Sequence, residues 1–245
     1  MLQRFLIVLT VMVVGSGCTA TQKQPEFQFP AGTRVGIVNH LESYATHQNF
    51  NELRFGSFLK KYDVDWDIPT YVQNRLTRIL NKDPRYSVIA LETTERLGKA
   101  EFNDQPAQAH AVEPEVADIL EKLAGQNDLD VIVFIKSHRG PSPFKLAKHP
   151  IQLQGYGLFT REFLMVKNAY AYANIEVMVL KTHPLTPIGS GQPDTQDFPL
   201  RNLNLSGELK NLPLAEFNKL RPLIQKYADD AVIKALDSAN LVSSR

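Results

Sequence analysis

The sequence predicts an α/β protein in which helices pack a mixed β-sheet within a single domain. Three observations carry that expectation. Strand-like and helix-like runs alternate from Arg34 to Lys136. Two long stretches, Gly155–Val166 and Tyr170–Thr182, are strand-like, and the second alternates with period two. The last stretch, Leu214 to Leu236, repeats its apolar residues at helical spacing. Period two and period 3.6 are the signatures of strand and helix, and their order along a chain sets the fold class.

The chain opens with Arg4, then the apolar run Phe5–Val14, then Gly15-Ser16-Gly17-Cys18. A positive start, a short apolar centre and small residues at the end form a secretory signal, because a membrane-spanning helix needs about 20 apolar residues. The run ends at the only cysteine of the chain. That cysteine has no internal disulfide partner, and acylation gives it a use. Residues 1–17 are therefore expected to be a lipoprotein signal peptide and Cys18 the lipidated N-terminus. Gly15 stands where such signals usually carry Leu or Val. Thr19 after the cysteine resembles outer-membrane sorting. No later apolar run approaches about 18 residues, so no second span is expected. Residues 18–33 read as the lipidated N-terminus and tether, and roughly 15 residues reach at most ~50 Å.

The α/β domain is expected over residues 34–241. Arg34–Leu41 reads as the first strand, and residues 42–62, without a clean period, as a long loop. A helix runs from about Pro69 to Leu80, with Asp67 as N-cap and Pro69 in the first turn, where a missing N–H does no harm. Its stripe is Ile68, Val72, Leu76, Ile79 and Leu80. Tyr86–Leu91 is the second strand, and residues 98–113 read as a loop. Pro114 opens a second helix with Val116, Ile119, Leu120 and Leu123 facing the core and Gly125 as its stop. Asp130–Lys136, an unbroken β-branched run, suits a strand covered on both faces. The two long strands form a hairpin expected to turn at Lys167-Asn168. Pro184–Pro199 reads as a loop with a short strand at Ile188–Ser190, and Arg201–Leu205 as an edge strand. The last helix is expected from Pro222 to Asn240 after a short lead-in.

The order Asp67–Leu80, Tyr86–Ile89, Glu115–Leu123, Leu129–Val133 and Ala173–Val179 resembles the α/β domain shared by three envelope groups. They are the curli-secretion lipoprotein, the penicillin-binding-protein activator lipoproteins and the N-terminal domain of the Tol-Pal propeller protein. The resemblance implies an anticodon-binding-like fold and a non-enzymatic binding or assembly role at the periplasmic face of the outer membrane. The short tether departs from the activators. Only Gly155–Thr182 offers hairpin material for a secretion pore, and there Arg161, Glu162 and Lys167 would need to face water.

Chemistry is sparse. The chain has 27 basic and 26 acidic residues, and loss of Arg4 with the leader leaves the signs equal. A balanced charge argues against nucleic acid, whose phosphates call for a basic excess. His40, His47, His110, His138, His149 and His183 show no metal-ligand spacing, and no cofactor beyond the lipid on Cys18 is expected. Asp63–Asp67 begins like a calcium loop, yet Ile68 replaces its turn glycine and Asn74 its closing glutamate, so the preferred reading is a polar loop ending in a helix cap. Ser137-His138 makes a poor nucleophile–base pair, since strand neighbours point to opposite faces. The most suggestive surface is aromatic: Tyr156, Phe159, Phe163, Tyr170 and Tyr172. Two readings stay open, a partner-binding patch or core beneath the terminal helix. A small-molecule or lipid carrier and a hydrolase are the alternatives in function.

Overall fold

The computed structural model describes residues 29–51, 56–92, 112, 114–142, 151–163, 166–194, 200 and 203–242. The expected signal peptide, Cys18, most of the expected tether and nearly all of the expected 98–113 loop lie outside the described residues.

Among the described residues, nine strands form one mixed sheet, partly curled into a half-barrel, with helices packed against it. The elements are β1 (Thr33–His40), β2 (Ala45–Asn51), β3 (Phe58–Tyr62), α1 (Ile68–Leu80), β4 (Tyr86–Leu91), α2 (Pro114–Asn127), β5 (Val131–Ser137), β6 (Arg139–Pro141), β7 (Gln152–Phe163), β8 (Val166–Thr182), β9 (Leu185–Gly191), α3 (Leu214–Phe217) and α4 (Arg221–Ser238). The sheet order is β3-β2-β7-β8-β5-β1-β4, with β6 on β7 and β9 on β8. β1 runs parallel to β4 and β5, and β2 runs parallel to β7. The remaining pairs are antiparallel.

The 17-residue β8 joins the two parts of the sheet. Its first half pairs with β7, from Val166 opposite Phe163 to Asn174 opposite Gly155. Its second half pairs with both β5 and β9. The expected alternation is present. Ala171, Ala173, Ile175, Val177 and Val179 share a face with the core formed by α1 and α4. Met178 and Leu180 belong to a second core on the other face, with Val116 and Leu120 of α2. Each such buried Val, Ile, Leu or Met side chain contributes roughly 1.5–3 kcal/mol.

α1 begins where expected. Asp67 accepts a hydrogen bond from the Thr70 amide at 3.2 Å, and Ile68, Val72, Leu76 and Leu80 are buried. α4 lays Ile224, Ala228, Ala231, Val232 and Ala235 on the sheet. The small residues permit close contact with β9: a Cβ on Gly191 would stand 2.0 Å from the Ala231 carbonyl oxygen.

Five expectations are corrected. Residues 42–62 hold the antiparallel pair β2 and β3. β2 escaped detection because its inward residues include the polar His47 and Asn49, each held by a hydrogen bond. α2 passes Gly125 and ends at Asn127, where Asp128 takes the left-handed conformation (φ 52°) instead. The β7–β8 hairpin reverses between Phe163 and Val166, while Lys167 and Asn168 lie in strand opposite Glu162 and Arg161. β9 is longer than expected and includes Pro187, which sits at a register shift in the ladder. Residues 203–205 form no strand; 201 and 202 lie outside the described residues. The body also begins early, since Phe29 is buried and its ring meets Tyr86 edge-on at 6.4 Å.

Candidate functional site

The carboxyl ends of the parallel strands β1 and β5 lie side by side, with His40 paired in register to Lys136. In open α/β sheets this edge is where ligands are usually held. The chain leaving β1 carries Glu42 and Tyr44 to the start of β2. The chain leaving β5 forms β6 and brings Arg139 opposite Gln154 of β7. These segments enclose a cleft of about 390 Å³, floored in part by Tyr156 of the helical core and in part by Tyr172 of the opposite cluster.

The floor consists of Thr46, Gly155, Tyr156 and Tyr172, all buried. The Thr46 and Tyr172 hydroxyls hydrogen-bond to each other. The Tyr156 hydroxyl donates to the Glu42 carbonyl at 2.8 Å. The Glu42 carboxylate accepts from the Ser137 hydroxyl at one oxygen and from the Gln154 amide, at 3.5 Å, at the other. Gly155 has φ 67°, a conformation that glycine adopts without steric cost, and its backbone passes below that carboxylate. Burial pushes the Tyr172 hydroxyl up to about 12, with Glu42 adding to the rise and the Thr46 hydrogen bond opposing it. Burial, reinforced by Glu42, also raises Tyr156 well above the ordinary phenol range. Both phenols therefore stay neutral near pH 7 and serve as hydrogen-bonding groups.

The rim is polar. Gln48, Gln152 and Gln154 supply amides, and Lys61 places its ammonium 4.1 Å from the centre of the Tyr44 ring. Leu59, 64% exposed, is the one aliphatic side chain lining the cleft among the described residues.

No family model and no curated protein matches the chain.

The aromatic residues singled out in the sequence divide between the two faces. Tyr156 joins the helical core. Phe159, Tyr170 and Tyr172 cluster with Leu153 on the opposite face, packed by Phe50 and Ile151. All four are at most 8% exposed, so within this chain they are buried side chains. Phe163 lies in β7 opposite Val166, and its side chain lies outside the described residues. Only Tyr156 and Tyr172 reach the cleft. Glu42, Gln154 and Arg139 were not singled out in the sequence, because Glu42 meets Ser137 and Gln154 from across the sheet and Arg139 comes opposite Gln154 only through the pairing of β6 with β7.

The Asp63–Asp67 stretch forms the lead-in to α1. Trp66 is buried, stacks on Phe217 at 5.5 Å and donates to Asn218 at 2.9 Å. Among the described residues no three His, Cys, Asp or Glu side chains converge in a way that could hold a metal. His40 ends β1 and His138 links β5 to β6. His47 is fully buried in β2, where the Thr160 hydroxyl lies 2.8 Å from its Nε2. That hydroxyl donates to Asn49 at 2.9 Å, so it accepts from His47 Nε2–H. The buried Nδ1 has no hydrogen-bond partner among the described residues.

Proposed function

We propose that this chain is a lipid-anchored envelope protein, held on the periplasmic face of the outer membrane through an acylated Cys18. Its role is that of a non-enzymatic binding or assembly factor. The observation that carries the reading is the leader: Arg4, the apolar run Phe5–Val14 and three small residues ending at the chain's single cysteine. Several acyl chains, at roughly 0.8 kcal/mol per buried CH₂, hold such a protein firmly on a bilayer. The order β1, α1, β4, α2, β5 and the β7–β8 hairpin supports an anticodon-binding-like arrangement of the kind found in the envelope proteins that the sequence resembles.

The geometry of the body supports a binding face turned away from the anchor. The leash meets the body at Phe29, beside Tyr86 at the amino end of the parallel strands. The cleft lies past their carboxyl ends, one strand of eight residues away, or roughly 26 Å. The neutral phenols and the carboxylate engaged by Ser137 and Gln154 suit recognition.

Labelled palmitate fed to cells making the full chain is expected to enter the protein, and the protein to sediment with membranes. The Cys18→Ser chain is expected to lose the label and move to the soluble fraction. Equal sedimentation of both forms, with no label in either, would end this reading.

A further inference from the structure

The cleft formed by Glu42, β2–β3 and the β6–β7 pair has the chemistry of a saccharide site, and we infer that it binds an N-acetylated glycan carrying a carboxylate. The inference rests on the envelope reading only for where such a glycan would be met; the cleft's own chemistry stands apart from Cys18.

Its volume, about 390 Å³, falls within the range of small-molecule sites, roughly 300–1,000 Å³. Its lining selects the ligand class. An acyl chain entering here would strip water from amides, hydroxyls and charged groups and leave them unpaired, at about 1–3 kcal/mol for each neutral group. A hydroxyl-rich ring does the opposite. It offers donors and acceptors at short intervals, and Gln48, Gln152 and Gln154 each present both an amide donor and a carbonyl acceptor. The same amides match N-acetyl groups. Leu59 and the Tyr44 ring supply the limited apolar surface that the C–H face of a pyranose covers.

Charge refines the class. Arg139 and Lys61 stand on the rim, and Glu42 is tied to Ser137 and Gln154. A guanidinium recognises a carboxylate through two parallel hydrogen bonds, so Arg139 is the residue assigned to the acidic substituent. The floor is rigid before any ligand arrives, with Tyr156 fixed to the Glu42 carbonyl and Tyr172 to Thr46. A preorganised floor lowers the entropy lost on binding.

The test titrates the full-length chain, in a zwitterionic rather than a sugar-based detergent, with two probes by calorimetry. One is the disaccharide of N-acetylglucosamine and N-acetylmuramic acid, and the other is uncharged N,N′-diacetylchitobiose. Saturable binding with Kd of roughly 0.1–1 mM is expected for the acidic probe, at least ~5-fold tighter than for the neutral one. Arg139→Ala is expected to bring the two probes level. Gln154→Ala is expected to weaken both about 5-fold, since one polar contact is worth about 1 kcal/mol. Both side chains are exposed, so the interactions they hold are worth about 1 kcal/mol or less, and melting temperatures should fall by no more than about 2–4 °C. The Cys18→Ser chain is expected to bind like the parent, which separates failure of anchoring from failure of recognition. No saturation by either probe up to about 10 mM would overturn the inference. Affinities indifferent to both substitutions would do the same.

Discussion

Acid should weaken this fold through His47. The ring is fully buried and donates through Nε2 to Thr160, and its Nδ1 faces no acceptor among the described residues. Burial, with the nearby Lys60 ammonium adding to it, lowers its pKa from 6.5 to about 4. The unfolded chain therefore takes up the proton first. The stability is whole above pH 6.5, and it is lost as pH falls toward 4. A tenfold change in proton affinity is worth about 1.36 kcal/mol, so the loss near pH 4 is about 3 kcal/mol. His40 is lowered too by burial, against an opposing pull from Glu42, so it adds to the same trend. Trp66, the sole tryptophan, is buried against Phe217, which also neighbours His47, and its fluorescence reports unfolding. In urea titrations between pH 7 and pH 4 the midpoint is expected to fall by about 1.5 M at an m value near 2 kcal/mol/M. His47→Gln keeps a donor near Thr160 and removes the titration, so most of that slope should vanish. Equal slopes in the parent and the His47→Gln form would refute the assignment to His47.

Three more outcomes follow from packing. Tyr172→Ala is expected to cost about 3–5 kcal/mol by thermal or urea unfolding, as for other large buried aromatics, whereas Tyr172→Phe should lose only about 1 kcal/mol with the Thr46 hydrogen bond. Lys136 and Glu176 face each other 3.4 Å apart and are both largely buried. Lys136→Met is expected to cost about 3–5 kcal/mol by taking the opposite charge away from a buried carboxylate that then keeps the Gln192 amide at 3.3 Å, and the double change Lys136→Met with Glu176→Leu to recover most of it, read as a double-mutant cycle in urea. Gly157 has φ 151°, and a Cβ there would lie 1.9 Å from the Thr46 carbonyl oxygen of the adjacent strand. Gly157→Ala should therefore part β2 from β7, with a loss above about 2 kcal/mol and faster amide exchange along both strands.

Where a segment buries one apolar face, the sequence was readable. α1 and α4 each separate core from the other side by residue type, β8 alternates cleanly although both its faces are buried, and β5 is apolar through most of its length. Legibility failed where burial is satisfied by hydrogen bonds. β2 presents Thr46, His47 and Asn49 as buried groups, each with a partner supplied by β7, β8 or the stretch after β2. No local pattern encodes partners more than a hundred positions away. β3 is five residues long with two lysines, too short for a period to register. Gly125 was the natural stop for α2, yet the helix runs on to Asn127, whose side-chain amide donates to the Leu123 carbonyl at 2.9 Å. The cleft was legible only in its tyrosines. Its remaining groups converge because Arg139 is carried onto Gln154, a long-range pairing that spacing does not announce.

β8 also couples the sheet mechanically. Because one unbroken ribbon belongs to both halves of the sheet, neither half can shift register alone. A slip by a single residue would turn Asn174 and Glu176 toward α4 at the same moment that it turned Tyr172 out of the cleft floor. The hydrophobic interior thus acts as the lock on the cleft floor, and thermal softening of one end is felt as misalignment at the other.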